Sequence, residues 1–171
     1  GSLLRGKCGL AHIDCHGETQ VIVKESALAL ERDVIALNSS STSLPDKVSC
    51  RINLEHVTAH LRGHFLRVSN LGQSEPRLTV RCQTRNCILN PLSNAALVQM
   101  ESSISSEDAY RAFVWTGERN FFGGANVFWQ IASANKSVEF EEWTEYWGLS
   151  NEVGPNNDAV LWEFDLPKDF D

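Results

Sequence analysis

The chain has 171 residues, of which 42% are hydrophobic, and it carries a net charge of −7 at pH 7. A domain of this length can bury a substantial core, while the acidic balance argues against a nucleic-acid or anionic-membrane surface, which needs concentrated Lys and Arg. No run of eighteen or more apolar residues occurs, so no membrane-spanning segment is predicted in this chain. Gly1 and Ser2 resemble an expression remnant, and one domain is predicted over residues 3–171.

A unit of about thirty residues recurs three times, beginning near residue 10. The offset is 31 residues between Val21 and Ile52, 28 between Ile52 and Val80, and 32 between Leu66 and Val98. The matched apolar sets are Val21/Ile52/Val80, Val23/Leu54/Cys82, Leu28/Ala59/Cys87, Leu30/Leu61/Leu89, Ile35/Leu66/Val98 and Leu37/Val68/Met100. Repeats of this length are typical of solenoids, in which each unit stacks on the previous one to bury a shared core.

Apolar and polar residues alternate inside each copy, as Ile52 and Leu54 do around Asn53. This period of two indicates strands with one buried face, and each copy holds three short strands separated by bends. Three strands per turn, stacked in parallel, describe an all-β parallel β-helix. A polar loop at 101–108 precedes a divergent fourth turn, so the repeat turns are predicted to cover about residues 10–131. The strands of that turn are expected at 112–115, 120–122 and 127–131.

Beyond the repeats the pattern becomes helical, with Phe140, Trp143 and Trp147 at spacings of three and four residues. An amphipathic helix is therefore predicted over residues 137–148, with Ser137 as its N-cap and Gly148 just past its last turn. Exposed strand edges promote aggregation, so this helix or the tail that follows it should cover the last turn of the coil.

The two ends of the chain differ. The tail, residues 149–171, alternates weakly over 159–167, which predicts one more strand. Nothing comparable precedes residue 10, and we expect the domain to be the C-terminal part of a longer protein.

Five cysteines occur, namely Cys8, Cys15, Cys50, Cys82 and Cys87. Cys82 and Cys87 occupy inward repeat positions and are interpreted as small buried hydrophobes. Cys8 and Cys15 could form a disulfide in an oxidising compartment, but the sequence indicates neither the pairing nor the compartment.

Two segments resemble a known family. Residues 80–89, which read Val-Arg-Cys-Gln-Thr-Arg-Asn-Cys-Ile-Leu, resemble the turns of right-handed parallel β-helix domains of the pectin-lyase-like superfamily. The run from Trp115 to Trp143, with Asn120, Phe128 and Trp129, is similar to the closing segment of many bacterial β-helix proteins. The resemblance covers about residues 18–165 and implies a right-handed coil of about four three-stranded turns with a C-terminal helix.

The chain is also similar to the C-terminal regions of large planctomycete proteins that carry serine/threonine kinase domains. This resemblance implies a kinase upstream, outside this chain. The chain itself has no Gly-x-Gly-x-x-Gly loop, no His-Arg-Asp and no Asp-Phe-Gly, the motifs that kinase chemistry requires. A regulatory domain of such a kinase is therefore one alternative for its function.

Catalytic carboxylates are not predicted on the strand faces. The outward columns of the repeat are Ile22/Asn53/Arg81, Ala29/His60/Ile88 and Ala36/Arg67/Gln99, and none of them stacks two acids. Glycoside hydrolysis needs such a pair, so the sequence predicts no catalytic residue. The alternative is a degenerate polysaccharide lyase or glycoside hydrolase in which loop acids converge, namely Glu75, Glu101, Asp108 and Glu118.

The sequence favours a non-catalytic recognition or assembly module that binds carbohydrate or another protein. The candidate binding residues are outward His60 and the basic residues Arg67, Arg81 and Arg85, since arginines can hold an acidic sugar or a phosphate.

The spacing of the histidines and the tryptophans predicts neither a metal site nor a sugar-binding platform. His56, His60 and His64 are spaced by four, but the repeat places them on two strands and a bend, so neither a shared metal ion nor another cofactor is predicted. Five tryptophans follow residue 114, and we expect them to fill the last turn rather than form a sugar-stacking platform.

Overall fold

The computed structural model describes residues 1–39, 48–69, 78–92, 95–101 and 105–161. Its elements, in chain order, are β1 (Ser2–Gly6), β2 (Ala11–Asp14), β3 (Glu18–Leu30), β4 (Ile35–Asn38), β5 (Val48–Leu61), β6 (Leu66–Ser69), β7 (Leu78–Arg85), β8 (Ile88–Pro91), β9 (Val98–Glu101), α1 (Ser106–Ala112), β10 (Phe113–Glu118), β11 (Trp129–Ile131), a 3-10 turn (Ala132–Ala134), β12 (Lys136–Val138), α2 (Phe140–Asn151) and β13 (Glu152–Val153). Strands dominate, as the alternating pattern predicts.

The strands form two sheets, and successive turns of the chain contribute to both. The first sheet has the order β1-β3-β5-β7-β10-β13, with β8 paired to the second half of β5, and the second has the order β2-β4-β6-β9-β11-β12. All these pairings are parallel except that of β11 with β12, which is antiparallel. Neighbouring rungs lie about 4.8 Å apart, the usual spacing of hydrogen-bonded strands. The predicted parallel β-helix is therefore confirmed.

The register confirms the match between the first two repeats and corrects the third. Val21 pairs with Ile52 and Leu28 with Ala59, as predicted. In the third repeat, however, Val80 pairs with Cys50 rather than with Ile52, so the predicted register was wrong by two residues. A slip of two leaves the same side chains facing inward, which is why the period-two pattern could not detect it.

The same slip displaces the second strand of the third repeat. Leu89 pairs with Ala59, whereas the prediction matched Ala59 with Cys87. In the fourth turn, a bridge joins Ile88 to Phe121, within the strand predicted at 120–122.

The first two predicted strands of each early repeat are one continuous bent strand, which corrects the prediction of three separate strands. The bends lie at Glu25 in β3 and His56 in β5, which have φ values of 48° and 53°. Asn86 and Arg119 lie at the same corner of the next two turns, with φ values of 50° and 53°. At these corners the backbone bends at non-glycine residues in the left-handed conformation. They are not marked by Gly or Pro, the residues from which a turn is usually predicted.

The coil begins earlier than the predicted residue 10. β1 pairs with β3, starting with Ser2 opposite Ser26, and β2 pairs with β4, starting with Ala11 opposite Ile35. Leu4, Leu10 and Ile13 pack against the core from this first turn. These inward residues are too sparse for the turn to appear as a repeat in the sequence.

The segment after the third turn also differs from its prediction. The loop predicted at 101–108 was wrong at both ends, because Glu101 belongs to β9 and residues 106–108 belong to α1. Ser105 caps α1 by accepting a hydrogen bond from the Asp108 amide. Ser137 is not an N-cap but a residue of β12, and α2 begins at Phe140 with Glu139 as its N-cap residue. Gly148 has a φ of 67°, so the regular helix breaks where predicted, although the assigned element continues to Asn151.

An aromatic cluster closes the C-terminal end. Trp143 and Trp147 of α2 are buried against Trp115, Trp129 and Phe113 of the last turn. The prediction that tryptophans fill this turn is confirmed for four of them, and Trp162 lies outside the described residues.

After α2 the chain re-enters the first sheet through β13, which pairs with β10, and Gly154 repeats the left-handed corner with a φ of 61°. The prediction placed this added strand at 159–167, but residues 159–161 form no strand and the rest of that range lies outside the described residues.

Candidate functional site

The four candidate binding residues lie on different parts of the coil. Arg81 and Arg85 are on β7 of the first sheet, His60 is on the second half of β5, and Arg67 is on β6 of the second sheet. Arg67 is therefore on a different sheet from Arg81 and Arg85.

His60 is buried, with only 6% of its surface exposed, so the prediction that it faces solvent was wrong. Its Nδ1 accepts a hydrogen bond from Asn90 Nδ2 at 2.9 Å. Burial, together with the positive charge of Arg62, lowers the pKa of the His60 imidazole. The ring is therefore held neutral, as expected for an imidazole packed between rungs.

Arg85 belongs to a ladder of alternating charges on the outside of the first sheet. The ladder runs Lys24, Glu55, Arg85, Glu118 across four rungs. Lys24 Nζ lies 2.7 Å from Glu55 Oε2, and Arg85 Nε lies 2.7 Å from Glu118 Oε2. The hydrogen bond and charge of Lys24 lower the pKa of Glu55. The charge of Arg85 is thus compensated within the protein.

Arg81 has a different environment. It is the direct cross-strand partner of Arg51, and both side chains are exposed. Among the described residues, neither arginine takes part in an ion pair or a side-chain hydrogen bond. Two like charges that stand directly opposite each other in a sheet destabilise it. This pair is therefore a local concentration of uncompensated positive charge on an acidic protein.

Sequence reasoning missed Arg51 because of the two-residue register error, which placed Asn53 rather than Arg51 beside Arg81. No signal in a single sequence separates these two registers, since both keep Ile52 inward.

Amide side chains surround the two arginines. Gln20 of β3 is the partner of Arg51 on the other side, and Asn53 pairs with Gln83 one outward position along the strands. We call Gln20, Arg51, Asn53, Arg81 and Gln83 the arginine face. Guanidinium groups bind carboxylates with two parallel hydrogen bonds, and amides both donate and accept, which suits sugar hydroxyls.

The acids proposed for a degenerate enzyme do not converge in the described structure. Glu118 on β10 pairs with Arg85, Glu101 on β9 accepts a hydrogen bond from Ser69, and Asp108 in the first turn of α1 accepts one from Ser105. Glu75 lies outside the described residues. The described part of the chain also holds no group of three or more His, Cys, Asp or Glu side chains arranged to bind a metal ion.

The five cysteines are free, and all but Cys8 are buried. Cys82 and Cys87 pack inside the coil, as predicted. Cys8 and Cys15 are not joined by a disulfide.

Comparison of the chain with protein-family models, with curated proteins and with solved structures finds no match. Within the described ranges, none of the helices is long and apolar enough to cross a membrane. What the chain does must therefore be inferred from the geometry of its surface.

A buried carboxylate lies in the last strand of the first sheet, apart from the candidate binding residues. Glu152 of β13 is 2% exposed, and its oxygens accept hydrogen bonds from Trp115 Nε1 and Asn120 Nδ2. Burial raises the pKa of the Glu152 carboxyl, and these two hydrogen bonds partly oppose the shift. A carboxyl whose pKa is raised by folding stabilises the fold below its unfolded pKa, and this contribution is lost as the pH rises through the folded pKa.

We therefore expect Glu152→Gln to alter the pH dependence of stability. The stability of the wild type relative to this variant should fall as the pH rises from about 4 towards neutrality. Urea unfolding of both proteins between about pH 4 and pH 8 measures the difference, with Glu145→Gln, an exposed change in α2, as the control. A constant difference across this range would show that Glu152 has the same pKa in the folded and unfolded chains.

Proposed function

We propose that this chain is a non-catalytic recognition module that binds an acidic carbohydrate along the arginine face. The observation that carries the proposal is the pair of exposed, directly opposed and uncompensated guanidinium groups of Arg51 and Arg81. A bound carboxylate would relieve their mutual repulsion and accept their paired donors.

The geometry of the coil favours an extended ligand. Adjacent rungs repeat about every 4.8 Å, which is close to the length of one pyranose unit, so successive sugars can meet equivalent rows of side chains. Arg51 and Arg81 stand on two successive rungs in one outward column, and Asn53 and Gln83 stand on the same two rungs in the next outward column, about 7 Å away along the strands. Two or more weak contacts on one chain raise the overall affinity through effective concentration.

Charge density favours a polyuronate over nucleic acid as the ligand. The protein carries −7 overall, so a densely charged phosphate backbone is repelled at long range. A polyuronate has one carboxylate per sugar and many hydroxyls, which suits two arginines flanked by amides. The resemblance to pectin-lyase-like domains, whose enzymes act on polysaccharides, supports the same ligand class and is proposed here as the family relationship.

Binding to polygalacturonate tests the proposal. Arg51→Gln and Arg81→Gln should each weaken binding about tenfold or more, because each removes a charge-assisted hydrogen bond. Arg111→Gln is the matched control, since it removes an equal charge from the exposed side of α1. Isothermal titration calorimetry at low and moderate salt, with neutral dextran as the ligand control, gives the dissociation constants.

Two results would contradict this proposal. One is the absence of binding to any acidic glycan at low salt. The other is binding that Arg111→Gln weakens as much as Arg81→Gln does, since the effect would then reflect net charge and not the arginine face.

The stability of Arg81→Gln gives an independent check. Removal of one of two opposed like charges should leave the free energy of unfolding unchanged or raise it by about 0.2–1 kcal/mol. Urea unfolding measures this change, and Arg85→Gln, which breaks the pair with Glu118, provides the comparison. A clear loss of stability in Arg81→Gln would show that this arginine has a structural partner.

Assembly is a second candidate function, and the exposed edge of β1 favours it. In the described sheet order β1 has a strand neighbour on one side only, and its Leu3 is 78% exposed. Open strand edges pair readily with another strand, and a second copy of the chain is the simplest partner. Light scattering coupled to size-exclusion chromatography would detect a dimer, which Leu3→Lys should weaken by placing a charge on the exposed edge strand.

A further inference from the structure

A separate cavity of about 220 Å³ opens on the second sheet, where the bends of the first turns meet β2, β4 and β6. It is lined by Gly9, Leu10, Ala11, His12, Arg32, Asp33, Ala36 and Arg67. The arginine face is on the first sheet, so this cavity is a different part of the surface.

A fixed carboxylate orients Arg67 at the wall of this cavity. Asp33 Oδ1 accepts a hydrogen bond from the His64 amide at 3.0 Å, and Asp33 Oδ2 lies 3.0 Å from Arg67 Nε. The Arg67 Nε is buried, and it is close to the carboxylate without the alignment of a hydrogen bond. Among the described residues, the two terminal nitrogens of Arg67 have no partner, so their donors are available to a ligand.

The floor of the cavity is a small residue between two polar ones. His12, Ala36 and Arg67 are cross-strand partners on three successive rungs. The outer two are therefore about 10 Å apart, and the methyl group of Ala36 leaves the space between them open. Gly9 borders the cavity where the backbone packs closely, because a Cβ there would lie 2.3 Å from the Asp33 carbonyl oxygen.

The charges that line the cavity favour a ligand with one negative charge. Arg32 and Arg67 contribute two positive charges and Asp33 one negative charge, and His12 adds a hydrogen-bonding imidazole. With two arginines and one aspartate, the lining has a net charge of +1, which one carboxylate neutralises and a phosphate dianion exceeds. A sugar acid whose carboxylate binds the guanidinium of Arg67 can direct its hydroxyls towards His12. We propose that this cavity binds one small sugar acid, with its carboxylate on Arg67.

Titration with free glucuronate and galacturonate tests this site, followed by calorimetry and by the NMR shifts of the His12 ring. Arg67→Gln should weaken binding at least tenfold, because it removes the charge that holds the carboxylate. Ala36→Leu should have a similar effect without a change of charge, since it fills the floor. Arg111→Gln, which removes an equal charge from the exposed side of α1, should bind the monosaccharides as the wild type does, which separates this site from an effect of net charge.

Circular dichroism and thermal unfolding confirm that each variant is folded, and the half-exposed position of Arg67 makes Arg67→Gln the safer change. Three outcomes overturn the proposal. They are no binding of either sugar acid, wild-type affinity in Arg67→Gln, and tighter binding of inorganic phosphate than of the sugar acids. Failure of the polygalacturonate experiment has no bearing on this one, because the two use different faces.

Discussion

Leu66→Asp is expected to unfold the protein at room temperature. Leu66 is fully buried in the column that joins Ile35, Leu66 and Val98 on successive rungs. A carboxylate at this position has no partner and no water, and burying such a charge costs more than most domains can supply from a total stability of about 5–15 kcal/mol. The far-ultraviolet circular dichroism spectrum should lose its strand signal.

The neighbouring residue provides the control for this prediction. Arg67→Gln changes an outward, half-exposed side chain and should keep the strand signal, with a loss of about 1 kcal/mol from the pair with Asp33. Leu66→Ala should remain folded but lose about 2–5 kcal/mol in urea unfolding. If Leu66→Asp were as stable as Arg67→Gln, the inward assignment of this column would be wrong.

Trp143→Ala has the second largest expected effect, a loss of about 3–5 kcal/mol of stability. The Trp143 ring is fully buried, and its centroid lies 5.1 Å from that of Trp115 and 5.7 Å from that of Phe128. The truncation removes one of the two buried tryptophans that hold α2 on the last turn. Because the uncovered rungs present strand edges and aromatic rings, we also expect the variant to self-associate as its concentration increases.

Leu149→Ala is the matched control, because it also removes a large apolar side chain from α2. Leu149 is 87% exposed, so this change should alter stability by less than about 0.5 kcal/mol. Urea unfolding and light scattering of both variants distinguish the loss of the buried Trp143 contacts from the effect of removing any large apolar side chain from α2. Equal stability of Trp143→Ala and the wild type would show that the cap contributes little to folding.

Much of the fold could be predicted because the inward positions recur. The columns that contain Ile35, Leu66 and Val98, or Leu37, Val68 and Met100, were matched correctly from the repeat alone. The aromatic spacing in α2 similarly predicted a buried face, and Trp143 and Trp147 form it. These features depend on local periodicity, which a sequence displays directly.

The candidate site was harder to predict. Arg81 was identified, but its partner was misassigned, and His60 was placed outward although it packs beside Asn90. The first turn was missed as well, since the inward residues of β1 and β2 have too few counterparts to align. In each case the missing information was which residue stands opposite another, not which residue is apolar.

The sequence by itself determined that this chain is a stacked all-β coil with an aromatic cap, because alternation decides which side chains enter the core. Only the tertiary structure decided that Arg51 faces Arg81 and that Asp33 orients Arg67. Register along a solenoid depends on the length of each turn and on packing between rungs. A slip of two residues leaves the inward pattern unchanged but replaces every neighbour on the outer face, where binding takes place.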